Sequence, residues 1–206
     1  GTATSYAWKT GDADRFRFQP YNCGTYAIGT VAGPLAEAGI KNAFKIDCTT
    51  ADASPASGDE VKWSYAFEGQ DLQHFKKGTA SAQPMTLSFW IKARIQNVAN
   101  PTFNIHVRDI DNNREVGLQY TVTASADTDS GWQRKTLTIP ADTTGQFDDD
   151  NAKSMEFFWW FGGGHFLGVP GLIFCLLYTS PSPETREDLV WPILLEKKKG
   201  GGGGGG

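Results

Sequence analysis

The stretch MTLSFWIKARI, residues 85–95, alternates apolar and polar side chains along its whole length. In an extended chain, Met85, Leu87, Phe89, Ile91 and Ala93 share one face, and Thr86, Ser88, Trp90, Lys92 and Arg94 share the other. A helix would scatter the apolar set around its circumference. The segment is therefore a strand with one buried face, and that face needs a second apolar layer to cover it. VKWSYAFE repeats the pattern with Val61, Trp63, Tyr65 and Phe67. Phe103, Ile105 and Val107 repeat it again against Asn104, His106 and Arg108.

Turn signals recur between such segments at short intervals, as in an all-β sandwich or barrel. Strands are expected at 14–19, 25–31, 43–49, 61–68, 85–95, 102–110, 115–122, 132–139 and 154–161, with one short helical turn near 71–75. Asp111-Asn112-Asn113 supplies residues that tolerate the left-handed conformation of a tight hairpin and is read as the turn between two antiparallel strands. Residues 50–60 and 140–151 are loops. Two layers packed through their apolar faces would leave polar outer surfaces, which favours an antiparallel sandwich over a parallel sheet. Trp63 and Trp132 are expected in the core. The strand at 154–161 has aromatics on both faces, Phe157 and Trp159 against Phe158 and Trp160.

The formal charge is −4, and no basic patch offers a footprint for nucleic acid. No apolar run is long enough to cross a membrane. Cys23 and Cys48 are too sparse for a disulfide framework and are read as buried free thiols. Gly1 is preceded by no start methionine, so the N-terminus is read as truncated.

The end of the chain obeys a different logic. Residues 200–206 are all glycine; they have no side chain to bury and the largest backbone entropy to lose, so they are expected to be disordered. Back-translated, residues 175–183 fit TGT CTC TTA TAC ACA TCT CCG AGC CCA, which resembles the transposase end and adapter of short-read sequencing libraries. Lys197 to Lys199 then correspond to poly(A) and the glycines to poly(G). Residues 175–206 are accordingly set aside as adapter read-through. Removing them deletes Arg186 and Lys197 to Lys199 together with Glu184, Glu187, Asp188 and Glu196, so the net charge is unchanged. The expected organisation is a lead-in at 1–12, a β-sandwich domain at 13–170 and a non-native, irregular tail at 171–206.

FKIDCTTADASPASGDE, FEGQDLQHFKKGTASAQPMTLSFWIKA and WQRKTLTIPADTTGQFDDDN resemble a jelly-roll domain of tail and virion proteins of environmental bacteriophages, similar in style to carbohydrate-binding modules. The resemblance spans about 44–161 and is most specific at TLSFWIKA and at the Pro140–Gly145 loop. It implies an all-β, antiparallel jelly-roll sandwich that is not an enzyme. Its partners would be a cell-surface glycan or other virion subunits, with homo-oligomerisation open, and it would sit on a virion or, alternatively, outside a cell. Such domains continue with one more strand after a polar loop, whereas FGGGHFLGVPGLIF is irregular; the final strand is expected to be missing and a sheet edge unpaired.

The residues agree on the absence of catalysis. A jelly-roll glycosidase needs two carboxylates across a cleft, and the Glu-x-Asp-x-x-Glu run of such glucanases does not occur. His74, His106 and His165 have no nucleophile motif beside them, and no paired Cys or His spacing suggests zinc. Asp109 to Glu115 places oxygens at alternate positions, but Arg114 stands where a calcium loop needs glycine. No metal or other cofactor is expected. The candidate site is a sugar platform: Trp90, Lys92 and Arg94 would share an outer face with Asn104, His106 and Arg108 if their strands are neighbours. A pyranose would then stack on the indole while its hydroxyls meet planar polar groups. Two other uses of the fold stay open, a carbohydrate-binding module of a secreted polysaccharide-degrading enzyme and a ligand-free oligomerisation module.

Overall fold

The computed structural model describes residues 16–162 in full and the backbone of residues 2–3, 163, 172–176 and 196–197. In chain order its strands are β1 (Thr2–Ala3), β2 (Phe16–Tyr21), β3 (Thr25–Ala32), β4 (Asn42–Thr50), β5 (Glu60–Glu68), β6 (Met85–Ile95), β7 (Thr102–Asp109), β8 (Arg114–Thr121), β9 (Gln133–Ile139), β10 (Lys153–Gly163), β11 (Leu172–Leu176) and β12 (Glu196–Lys197). All nine strands expected from periodicity are present, their ends shifted by at most two residues. The expected helical turn is α2 (Gly69–Leu72), which continues as a 3-10 turn, Gln73–Phe75. A second short helix, α1 (Leu35–Ala38), follows Pro34 and stops at Gly39, whose φ of 71° only glycine adopts at little cost.

The strands form an antiparallel β-sandwich. One sheet has the order β2-β5-β10-β7-β8. The other has the order β1-β3-β4-β11-β6, with β9 and the two-residue β12 also pairing with β6. Between them lies the interior that the alternation demanded. Leu87, Phe89, Ile91 and Ala93 of β6 are buried against Trp63, Tyr65, Ile105, Phe157 and Trp159 of the opposite sheet. Cys23 and Cys48 are free thiols, Cys23 buried as expected but Cys48 only half-buried, because it lies near the end of β4, where the core thins. Burial, reinforced by Asp52 and Asp59, pushes the Cys23 thiol pKa up and keeps it protonated.

The expected open sheet edge is corrected. Leu172–Leu176 pairs antiparallel with Phe44–Asp47 on one side and Ile91–Ile95 on the other, so β11 joins β4 to β6. The physical reason is that Leu-Ile-Phe-Cys-Leu is short, apolar and rich in strand-forming residues, and inside a sheet every backbone donor and acceptor finds a ladder partner. Most of the stretch read as adapter-derived, 177–195 and 198–206, lies outside the described residues, as does His165.

Residues 110–113 form the expected hairpin turn between β7 and β8, with Asn113 at φ 51°. The same end of the sandwich is held by a charged cluster that no local pattern announces. Lys77, with a side chain 7% exposed, places its ammonium 2.5 Å from Asp109 and 3.3 Å from Asp142. It also donates to the carbonyls of Thr144 at 3.0 Å and Gly145 at 2.6 Å, and lies 5.1 Å from the centre of the Phe147 ring. Asp109 accepts further bonds from Asn112, and Arg114 clamps Asp142 at 2.8 and 3.2 Å. One ammonium thus ties the Pro140–Gly145 loop to the hairpin.

Burial acts to raise the Asp142 pKa, but the Thr144 amide, the Arg114 guanidinium and the Lys77 ammonium outweigh it and hold the carboxyl below its ordinary range. A folded pKa below the unfolded one gives a stabilisation that is fully present above about pH 4. It is lost as the pH falls through the depressed folded value. Urea midpoints measured from pH 5 down to pH 2.5 should therefore drop, and Arg114→Gln should flatten that drop. Equal slopes for the parent and the variant would show that the clamp on Asp142 is not linked to folding.

Candidate functional site

The six residues expected to form one platform are divided between two faces. Trp90, Lys92 and Arg94 stand on the outer face of the sheet containing β6, whereas Asn104, His106 and Arg108 stand on the outer face of the sheet containing β7. The reason is pairing capacity. β6 is bonded by β9 along one edge and by β11 along the other, so no edge remains for β7. The connection at 96–101 crosses to the other sheet through two left-handed residues, Asn97 at φ 59° and Asn100 at φ 50°. The Asn100 amide there donates to the Ala124 carbonyl, and its side-chain oxygen accepts from the Ala124 amide.

Trp90 is not an open platform. It is half-buried and belongs, with Val31, Ile40 and Trp132, to a satellite cluster packed around Ala43. Trp132 belongs to this outer cluster and not to the main core, which corrects the sequence expectation. Lys92 is ion-paired with Asp129 at 2.9 Å, and Arg94 is exposed.

The other half of the expected set has aromatic company from β10. Phe157 and Trp159 are fully buried in the core, so the alternation of the strand sends Phe158 and Trp160 to the opposite, outer face, where both are half-buried. Register places Phe158 between Ser64 and His106, and Trp160 between Lys62 and Asn104. The His106 ring stacks on Phe158 with centroids 5.7 Å apart and planes 29° apart. Its Nε2 lies 2.8 Å from a carboxylate oxygen of Glu115. Gln119 donates to the side-chain oxygen of Asn104 at 3.2 Å. The Lys62 ammonium lies 5.3 Å from the centre of the Phe158 ring and 5.1 Å from that of Trp160, and pairs with Glu60 at 2.6 Å. Arg108 reaches Asn113 at 3.3 Å.

Phe158, Trp160, Lys62, Glu115 and Gln119 were not expected at the site. A signal for the aromatic pair was present, because FFWW occupies both faces of one strand and only one face can fill the core. The assembled face offers aromatic rings, amides, an imidazole and a guanidinium on a rigid sheet. It can stack against an apolar ring face and exchange hydrogen bonds with hydroxyls.

A concavity of about 460 Å³ opens beside the Lys77 cluster. Of the carboxylates lining it, Asp109 is engaged by Lys77, Asp142 by Arg114 and Glu115 by His106. Among the described residues, no three His, Cys, Asp or Glu side chains converge as metal ligands, and no helix is long and apolar enough to cross a membrane.

No protein-family model matches the chain, and no curated protein matches it. Among solved structures, the chain is similar to the enzymatically active domain of a tailspike protein of bacteriophage CBA120, at 12% identity, over 79% of this chain and 19% of that one, with a TM-score of 0.38. It is similar to a family 11 carbohydrate-binding module from Clostridium thermocellum, solved with a β-1,3-1,4-mixed-linked tetrasaccharide, at 8% identity over 79% and 88% of the two chains, with a TM-score of 0.39. A third is the cleaved adhesin domain of Lys-gingipain from Porphyromonas gingivalis, at 11% identity over 88% and 97%, with a TM-score of 0.42. The chain spans about a fifth of the tailspike chain.

Proposed function

We propose that this chain is a non-catalytic glycan-binding module that uses the outer face of the β2-β5-β10-β7-β8 sheet. The observation that carries the reading is the pair Phe158 and Trp160, two large rings on the solvent side of a central strand whose other face already fills the core. Large apolar rings left on an outer face mark a surface with something to bind. Here they are edged by Asn104, Gln119, His106 and Arg108, whose planar donors and acceptors suit sugar hydroxyls. The setting we propose is a phage tail or other virion surface, where the module serves adhesion. That part rests on the resemblance carried by TLSFWIKA and the Pro140–Gly145 loop.

In affinity electrophoresis through gels containing polysaccharide, Trp160→Ala should lose at least tenfold in affinity, roughly 1.4 kcal/mol. Trp90→Ala should keep the retention of the parent, because Trp90 is engaged by its own cluster on the opposite face. Undiminished retention of Trp160→Ala would remove this face as the binding site, and loss of retention in Trp90→Ala alone would move the site to the other sheet.

A further inference from the structure

Two thiols that the glycan-binding face does not use are brought together by the fold from 25 positions apart. Cys23 lies in the turn that carries the chain from β2 in one sheet to β3 in the other, between two left-handed residues, Asn22 at φ 47° and Gly24 at φ 85°. Cys48 lies near the end of β4, where its ladder partner is Tyr26 of β3. The turn and the end of β4 touch. The Thr49 hydroxyl donates to the Thr25 carbonyl at 3.1 Å, and Gly24 is so close to the Thr50 carbonyl oxygen that a Cβ would collide with it.

The Tyr26 hydroxyl hydrogen-bonds with both thiols. Tyr26 is 5% exposed, so the two sulfurs gather around one buried oxygen atom. Burial, and then the thiols beside it, pushes the phenol pKa up and keeps it neutral. Cys23 also packs toward the other sheet, its Sγ lying 4.0 Å from where a Cβ on Gly162 of β10 would stand. The thiols differ in access. Cys23 is buried and protonated, whereas Cys48 is half-buried beside the exposed Thr49 and Thr50. Cys48 is therefore placed to meet an oxidant first, and Cys23 to resolve what forms.

We propose that Cys23 and Cys48 are a redox pair that closes an intramolecular disulfide in an oxidising environment and staples the crossover between the two sheets to β4. Cys48 releases its proton to solvent, and its sulfur attacks a low-molecular-weight disulfide, glutathione disulfide for example, expelling one glutathione thiolate. Cys23 then gives up its proton, attacks the Cys48 sulfur and expels the second. Two S–H bonds of the protein break and one S–S bond forms; the two electrons reduce the glutathione disulfide, and the two protons end on the two glutathiones. A disulfide needs Cβ atoms about 4 Å apart, so the Tyr26 hydroxyl leaves the space between the sulfurs. The short turn at 22–24, which belongs to neither strand, supplies the shift. Closing a span of this length restricts the unfolded chain and so favours the folded one.

The test equilibrates the full-length chain with excess glutathione disulfide, quenches with acid, alkylates the unfolded protein with N-ethylmaleimide and maps the peptides by mass. Parent and Cys175→Ser are compared, since Cys175 is the third cysteine of the chain. In both, alkylation at Cys23 and Cys48 should fall about tenfold or more, and a peptide pair linked through these two residues, lighter by two hydrogens, should appear. The thermal midpoint of the oxidised protein should exceed that of the reduced one by about 5–10 °C. Cys23→Ser should stop at glutathione bound to Cys48, whereas Cys48→Ser should leave Cys23 open to alkylation, because only Cys48 is within reach of the oxidant. Both thiols still alkylated in the parent, a parent that stops at glutathione on Cys48, or a link from either residue to Cys175 would overturn the pair. A midpoint that is unchanged or lower after the link has formed would overturn the staple.

Discussion

Replacing Lys77 with methionine should lower the unfolding free energy by roughly 3–5 kcal/mol, because it leaves Asp109 buried without its counter-charge. Both side chains of the pair are 7% exposed, so water cannot take over the role of the ammonium without opening the loop. The same ammonium satisfies two main-chain carbonyls of the Pro140–Gly145 loop and approaches Asp142. Its removal therefore unties the loop as well as the pair. Methionine fills most of the volume of the lysine stem, which confines the loss to the charge and its hydrogen bonds. Urea unfolding of the parent, Lys77→Met and the double variant Lys77→Met/Asp109→Asn measures this. The double variant should recover part of the loss, since a neutral amide tolerates burial and can still bond with Asn112. A loss below about 1 kcal/mol in Lys77→Met would mean that the pair behaves as a surface ion pair, and no recovery in the double variant would place the cost in packing and not in the stranded charge.

The second large effect is expected in the core. Trp63 is 1% exposed and lies between Phe16, stacked at 4.2 Å with planes 11° apart, and Phe44, at 5.6 Å with planes 7° apart. Phe16 belongs to the neighbouring strand of the same sheet and Phe44 to the opposite sheet, so one indole bridges both layers. Trp159 closes the group at 5.5 Å. Trp63→Ala removes the largest side chain from this stack and leaves a cavity that two sheets cannot collapse into without breaking their ladders. A loss of about 3–5 kcal/mol follows, a large share of the 5–15 kcal/mol that domains of this kind possess. Chemical denaturation gives the magnitude, and near-ultraviolet circular dichroism shows whether the aromatic packing survives. Trp63→Phe should cost less, because stacking on Phe16 is preserved. A loss under about 2 kcal/mol for alanine would show that the two sheets are held together elsewhere.

These two residues differ in how visible they are before folding. Trp63 falls on the apolar side of an alternating strand, and its burial follows from that alone. Lys77 lies in a loop sequence, FKKGTA, in which nothing separates it from Lys76, its exposed neighbour. Its burial arises only because the hairpin bearing Asp109 and the loop bearing Thr144 and Gly145 converge on it from distant parts of the chain. The site shows the same split. Asn104, His106 and Arg108 were placed on an outer face by alternation and are found there, but their aromatic partner is Trp160 and not Trp90. Trp90 and Trp160 both fall on the outward phase of their strands. One joins the apolar cluster around Ala43 with Ile40 and Trp132, while the other stands among polar side chains.

Where the strands lie, which side of each is buried, that 110–113 turns and that the fold is an antiparallel sandwich were all legible in the order of the residues. Each of these depends on side-chain periodicity or on the backbone preferences of a few adjacent residues, and such quantities are local. Which strands are neighbours, that β11 enters between β4 and β6, that Lys77 is enclosed and which outward tryptophan joins a polar face emerge only in the folded chain. Those outcomes depend on competition among distant segments for the same strand edges and the same patches of surface, and the energy that decides the competition is released only when the segments meet.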